Sequence, residues 1–271
     1  MKNIGSKILK SVVYTSAALT FAVLIFLVAY ILFKGIPNLK LSLFELHYTT
    51  ENVSMLPAII NTVVITVCTL AVAVPLGIFT SIYLVEYAKK GNKIVNIVRV
   101  TAETLSGIPS IVYGLFGMLF FVTYVKWGYS ILAGAATLSI MILPLIMRTS
   151  EEALKSVPHS YREASFGLGA GNLRTVFKIV LPSAIPGILA GVILATGRIV
   201  GETAALIYTA GTVAELPENL MSSGRTLAVH MYALSGEGLY MDEAYATAVI
   251  LLLFVLIINL TSSFVARRIS K

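Results

Sequence analysis

Arg198 and Glu202 are the residues of this chain best suited to chemistry, because they are charged and lie four positions apart in a long apolar segment. That spacing predicts that both side chains share one face of a helix. A charge inside a membrane costs about 2.5–3.5 kcal/mol, so such residues normally face a protein interior or a water-filled path. An arginine fork also matches the oxygens of an anion such as phosphate. Two interpretations stay open: an ion pair that neutralises itself, or a path for an anion.

Arg148 ends another apolar segment and has a similar ambiguity. A long basic side chain at a helix end can reach lipid headgroups and fix the position of that end. The same side chain could guide an anion at the inner mouth of a path. The first role is the simpler interpretation.

The stretch REASFGLGAGNLRTVFKIVLP, residues 162–182, is a second candidate site. Its three glycines suggest a phosphate-binding loop, but a dinucleotide fingerprint needs glycine where Asn172 stands, and a P-loop needs a Gly-Lys-Ser/Thr ending that occurs nowhere in the chain. Ser160 and Glu163 instead form a capping box, which predicts a helix beginning near Tyr161. The glycines predict a left-handed turn after it, and a second helical stretch, 172–180, should stop at Pro182. A rigid helical hairpin suits a protein partner better than a lipid surface.

The elements that hold these sites are predicted to be membrane helices. Hydrophobic residues make up 57% of the 271 positions and charged residues only 12%, about half the usual charged share of a soluble domain. A membrane-spanning helix needs about 20 apolar residues. Six apolar segments qualify, so the sequence predicts an all-α integral membrane protein with six transmembrane helices: 11–33, 58–85, 105–125, 129–147, 183–208 and 244–266.

The net charge of +7 follows from orientation and needs no nucleic acid. With six spans the two termini share one side, and most lysines and arginines fall on that side. The positive-inside rule therefore predicts that both termini are cytoplasmic and that the segment 148–182 is a cytoplasmic loop. The predicted divisions are an N-terminal helix with its outer loop, 1–57, a core, 58–266, and a basic tail, 267–271. The single cysteine, Cys68, permits no intrachain disulfide and no cysteine metal cluster.

The loop resembles the EAA loop of ABC importer permeases, whose pattern is E-A-A, three residues, G, nine residues, I-x-L-P. Every spacing is met here, with a serine in place of the second alanine, by Glu163, Ala164, Ser165, Gly169, Ile179, Leu181 and Pro182. The resemblance implies a type I ABC importer permease fold in which this loop is a coupling helix docked on an ATP-binding subunit. It also implies that the chain is not an enzyme and holds no cofactor, since a partner hydrolyses ATP.

The segment 197–204 resembles the G-R-x-x-G-E-T-A signature of phosphate importer permeases, and 107–115 resembles their G-I-P-S-I-V-Y-G-L. The residues after the signature resemble the PstA type, although Ala205 stands where the family often has proline. The resemblance implies a substrate pathway formed by Arg198, Glu202, Thr203 and Arg148. It further implies a PstC-like second permease, a dimer of PstB-like ATPases and an external PstS-like phosphate-binding protein, in the plasma (inner) membrane of a prokaryote.

Other functions compete with this interpretation. A permease for sulfate or molybdate would carry the same loop, so only the segment around Arg198 argues against it. An ion-coupled secondary transporter would have helices broken near the membrane midplane, for which Pro75 and Pro186 are candidates. An intramembrane enzyme is disfavoured, because the three histidines fall in predicted loops and no nucleophile or metal constellation is visible.

Overall fold

The computed structural model describes residues 2–89 and 91–269. Within those ranges all regular structure is helical, because a chain in lipid satisfies its backbone groups internally. The α-helices are α1 (Lys2–Gly35), α2 (Leu56–Ile82), α3 (Lys93–Ser106), α4 (Ser110–Gly117), α5 (Ile131–Ser156), α6 (His159–Gly167), α7 (Asn172–Thr175), α8 (Leu181–Val200), α9 (Ala204–Ile207), α10 (Leu227–Glu237) and α11 (Met241–Ile269). Three of them, α2, α4 and α7, continue into π-helical turns at Tyr83–Tyr87, Met118–Tyr124 and Val176–Val180.

Five of these helices are long and apolar enough to cross a membrane, and a bent pair raises the number to six among the described residues. The predicted third span, 105–125, starts too early: its helix begins at Ser110 and continues through the π turn to Tyr124. α3 ends at Ser106, and the chain turns by 102° before α4 begins at Ser110. Pro109 explains the break, since it disfavours a helical conformation for the preceding residue and cannot donate a backbone hydrogen bond.

Other predicted boundaries also differ. α5 runs on to Ser156 rather than ending at residue 147, so Arg148 lies inside a helix. Pro182 does not stop the second helical stretch of the loop: helical structure runs from Asn172 through the π turn into α8. Pro182 lies just beyond the π turn Val176–Val180, a local irregularity of the helix near the point where the proline lacks a backbone donor. Pro75 and Pro186 lie within α2 and α8 without ending either helix.

The core forms where α2, α5 and α8 pack together, and α5 is the most buried of the membrane-length helices. Ile65, Leu138, Ile142 and Ile199 are fully buried there. Small polar side chains join the helices, as where the Ser81 hydroxyl donates to the carbonyl of Met147 on α5 at 2.7 Å. A second apolar cluster around Leu154, Val176 and Val180 continues the core toward α6 and α7.

α1 lies apart from this core and packs against α11. The Tyr30 and Tyr245 rings meet edge to face with centroids 6.0 Å apart, and Gly35 approaches the α11 backbone so closely that a Cβ there would overlap the Tyr245 carbonyl. Of the predicted basic tail, 267–271, residues 267–269 continue α11, while residues 270 and 271 lie outside the described residues.

Candidate functional site

The predicted coupling helix is present as α6, but it begins two residues earlier than expected. Its first residue is His159, and Pro158 occupies the capping position without a side-chain hydrogen bond. The capping box of Ser160 and Glu163 is therefore wrong. Pro158 has extended backbone angles, and its carbonyl accepts from the amide of Tyr161 at 3.2 Å, so the helix starts without a serine cap.

The glycine turn after α6 is confirmed. Gly169 has a φ of +82°, in the left-handed region that favours glycine. Its amide donates to the carbonyl of Phe166 at 2.9 Å, and the amide of Ala170 donates to that of Ser165 at 3.1 Å. These bonds satisfy carbonyls that the helix end leaves free and aim the chain into α7.

Arg162 anchors the underside of α6 to the rest of the molecule. Its guanidinium donates two hydrogen bonds to the carboxylate of Glu86, which lies in the π turn that ends α2. The Nη2–Oε1 distance is 2.6 Å and the Nε–Oε2 distance is 3.2 Å. It also donates to the carbonyls of Val157 and Leu154 at 2.9 and 3.1 Å. Such a two-pronged pair, mostly shielded from water, holds one orientation. Sequence reasoning missed Glu86, whose only local signal is that it is a lone acid at the end of an apolar segment.

The opposite side of α6 is open. Leu168 at its end is 90% exposed, and Glu163, Ala164 and Phe166 are exposed as well. A cavity of about 520 Å³ lies between α6 and the π turn after α7, and Gly169 and Ile179 are among its lining residues.

Two other residues of the loop pattern, Ser165 and Leu181, face inward. The Ser165 hydroxyl is buried and lies 2.8 Å from that of Thr175, which ties the hairpin together. Leu181 packs on the apolar cluster beneath, and Pro182 is exposed. The arrangement offers a rigid, partly apolar protrusion.

The prediction that Arg198 and Glu202 share one helical face is wrong. α8 ends at Val200, so Glu202 lies beyond the helix and not on the face of Arg198. The buried Glu202 carboxylate accepts from the amide of Ala205 at 3.1 Å and caps α9, whereas Arg198 is exposed. Thr203 stands at the capping position of α9, partly buried.

Arg198 ends a stripe along α8 that also contains Gly187, Gly191 and Leu194, spaced three or four residues apart as neighbours on a helix face are. A cavity of about 320 Å³ is lined by the other three residues of this stripe, Gly187, Gly191 and Leu194, together with Thr149 and Glu152 of α5. Arg148 belongs to this side of α5 and pairs with Glu152 at 3.2 Å, with both side chains exposed. The structure thus separates Glu202 from the residues that share this surface, which we call the α5–α8 face.

A buried polar cluster that the sequence did not reveal lies beyond the other end of the core. Arg225 and His230 are 5% and 1% exposed, and both pack on the ring of Tyr48. Among the described residues, Nε and Nη2 of Arg225 and both ring nitrogens of His230 have no hydrogen-bond partner. Burial, together with the charge of Arg225, lowers the pKa of His230 to about 3, so the ring is neutral at physiological pH.

Comparisons with known proteins agree with this geometry. Residues 73–271 match the family described as "Binding-protein-dependent transport system inner membrane component". The chain is 36% identical to "Probable ABC transporter permease protein YqgI" of Bacillus subtilis over 94% of its length and 92% of that protein. It is 38% identical to "Phosphate transport system permease protein PstA" of Pasteurella multocida over 84% of its length and 82% of that protein.

Among solved structures, a bacterial ABC transporter for alginate import contains a chain that aligns over 98% of this one and 100% of its own length, with a TM-score of 0.64 at 16% identity. The family match makes this chain a permease subunit of an ABC importer, a class that works with a second permease, an ATPase and a substrate-binding protein. The helices of membrane length and the exposed short helix α6 agree with that class. The chain belongs to the binding-protein-dependent transport system inner membrane components, and within them to the PstA type of multi-pass inner membrane permeases.

Proposed function

We propose that this protein is one of the two permease subunits of an ATP-driven importer of inorganic phosphate. The observation that carries the proposal is the 38% identity, over 84% of the chain, to a protein named as a phosphate transport system permease. A second relative of that name, from Mycobacterium tuberculosis, is 38% identical over 74% of the chain.

The α5–α8 face supports an anionic substrate. Arg198 is exposed at the end of α8, and Glu202 is engaged elsewhere, so the guanidinium is free to bind phosphate oxygens. Arg148, closer to α6, holds Glu152 in an exposed pair that solvent weakens. We infer that this face lines the pathway, with Arg198 as its anion-binding residue and Arg148 at its inner mouth. Thr203, partly buried just beyond the end of α8, would border the same pathway.

The segment from α6 to the π turn after α7, residues 159–180, which we call the coupling segment, supports an ATPase partner. We infer that Glu163, Ala164 and Gly169 dock on the ATPase, together with Ile179 beside them. Ser165, Leu181 and Pro182 shape the protrusion from within and below. Movement of α6 would reach α2 through Arg162 and Glu86, because that pair joins the two directly. The partners are PstC-like, PstB-like and PstS-like proteins.

We further infer that both termini are cytoplasmic and that α1 with its outer loop, 1–57, is an accessory to the core, 58–266. α1 is exposed along most of its length, and the family match begins only at residue 73. Lipid and the other subunits would cover this apolar surface.

The test is uptake of radiolabelled phosphate by cells that lack their own importer and carry this chain with its candidate partners. Excess unlabelled sulfate and molybdate serve as competitors, and a catalytically dead ATPase partner is the control. We expect uptake that needs the active ATPase and withstands both competitors. Uptake abolished by sulfate or molybdate would leave the assignment to an ABC importer intact but show that its substrate is not phosphate. Uptake without the active ATPase would show that transport is not coupled to ATP hydrolysis.

A further inference from the structure

A cavity of about 850 Å³ opens beside the coupling helix, away from the α5–α8 face. It lies between the π turn that ends α2, the start of α3 and the start of α6. Basic side chains dominate its wall: Lys89, Lys93, Arg99, Lys155 and Arg162. Of its lining residues, only Arg162 and Glu86 have a role in the function proposed above, as the link between α6 and α2.

The cavity carries surplus positive charge. Two carboxylates neutralise part of it: Glu86 pairs with Arg162 at 2.6 Å, and Glu151 pairs with Arg99 and Lys155 at 2.7 and 2.6 Å. Five basic groups against these two acids leave a net charge of three positive among the described residues. Lys89 and Lys93 are exposed and form no ion pair within the described part of the chain, so an anion would meet them first.

α3, which forms one wall, also carries an exposed apolar face. Ile94 and Ile97 are 68% and 62% exposed, whereas Val95 is buried against Leu84 and Met147. α3 is bent by 102° from the helix that follows it, so it cannot run parallel to that membrane-spanning segment. A helix at this angle, with apolar and basic faces, lies along the surface of the bilayer.

A basic cavity beside an apolar face matches a ligand with an anionic head and apolar tails. Basic pockets at the cytoplasmic ends of membrane helices are suited to the headgroups of anionic lipids. A soluble anion would use the cations but would gain nothing from Ile94 and Ile97. We propose that this cavity binds the phosphodiester headgroup of an anionic phospholipid, with its acyl chains along the exposed face of α3.

The test uses the assembled transporter, purified with its partner subunits and reconstituted in nanodiscs of phosphatidylcholine with added dioleoyl phosphatidylglycerol. Native mass spectrometry counts the phosphatidylglycerol retained after extraction. We expect the double variant Lys89→Gln/Lys93→Gln to weaken retention roughly thirty-fold, since each surface cation contributes about a fivefold factor toward anionic lipid. The matched control is Lys34→Gln/Lys40→Gln, which removes two exposed lysines, one at the end of α1 and one in the loop that follows it, and should retain the lipid normally.

A second pair of measurements separates a lipid from a soluble anion. Ile94→Ser/Ile97→Ser should also reduce retention of phosphatidylglycerol, because the acyl chains lose their apolar contact. Inorganic phosphate or ATP at millimolar concentration should not displace the lipid. Equal retention by the cavity variant and its control would overturn the proposal, as would displacement by inorganic phosphate together with indifference to the isoleucine changes.

Discussion

At the scale of single residues, Arg198 and Glu202 share a sequence motif but have different structural roles. Glu202 is buried and accepts from the amide of Ala205, so its carboxylate stabilises a backbone turn. Arg198 is exposed and leaves no orphaned partner when it is removed. Substitutions at the two positions should therefore have separable effects.

We predict that Arg198→Gln abolishes phosphate uptake while the complex still assembles and hydrolyses ATP. Glu202→Gln keeps a side-chain acceptor and should retain most of the uptake, whereas Glu202→Ala should lower stability by about 1 kcal/mol, the usual cost of a lost helix cap. Labelled uptake, subunit co-purification and thermal melting measure the three effects. Failure of the Arg198→Gln complex to assemble would mean that this arginine is structural.

The sequence could identify Arg198 and Glu202 as candidate site residues, but it could not predict which residues each of them contacts in the fold. Four-residue spacing places two side chains together only if the helix continues, and α8 ends between Arg198 and Glu202. The ending follows from Glu202 capping α9, which is a contact of the folded chain. Arg162 and Glu86 lie far apart in the chain, so no local pattern could have joined them.

His230 gives a prediction for pH. Its pKa is about 3 in the folded protein and about 6.5 when unfolded, so between these values the unfolded chain binds the extra proton. Stability should be full above pH 6.5 and should fall as the pH drops toward 3, by up to about 1.4 kcal/mol per pH unit. Melting temperatures measured from pH 7.5 to 4.5 should fall less steeply in His230→Gln than in the exposed-site control His47→Gln. Equal slopes would show that His230 does not titrate as its burial implies.

At the scale of elements, the coupling segment was the part best predicted from sequence. The turn follows from backbone chemistry, since glycine adopts a positive φ without strain, and the spacing of the loop pattern identified Gly169. The start of α6 and the continuation of α7 into α8 depended on how Pro158 and Pro182 are accommodated, which local pattern does not determine.

We predict that Gly169→Val uncouples ATP hydrolysis from uptake. A β-branched residue at this φ is strained by about 1–2 kcal/mol, so the turn should shift and displace α6 from its partner. Gly167→Val is the matched control, because Gly167 has no positive φ and open space around it. ATPase activity and uptake are measured together in proteoliposomes. Normal uptake in the Gly169 variant would show that the turn does not position α6.

At the scale of the whole molecule, the fold class follows from composition, but the number of complete spans does not. A sixth crossing is reached among the described residues only if α3 and the helix after it, which are bent by 102°, count as one span. The orientation of the bundle is a further proposal, and it is open to direct measurement.

We predict that Asn219→Cys, in the loop before α10, reacts with a membrane-impermeant maleimide in intact cells, in a Cys68→Ser background. Ser160→Cys, exposed on α6, should react only after the membrane is opened, because the two positions face opposite sides. The reverse pattern would invert the orientation and place the coupling segment outside the cell.

The packing of α1 against α11 also constrains the synthesis of this protein. α1 is translated first, and its partner helix follows about 200 residues later. At typical translation rates α1 waits roughly 10–40 s before α11 is available. Until then its apolar surface must be shielded by lipid or by the insertion machinery, so a chain that terminates before α11 leaves an unpaired anchor.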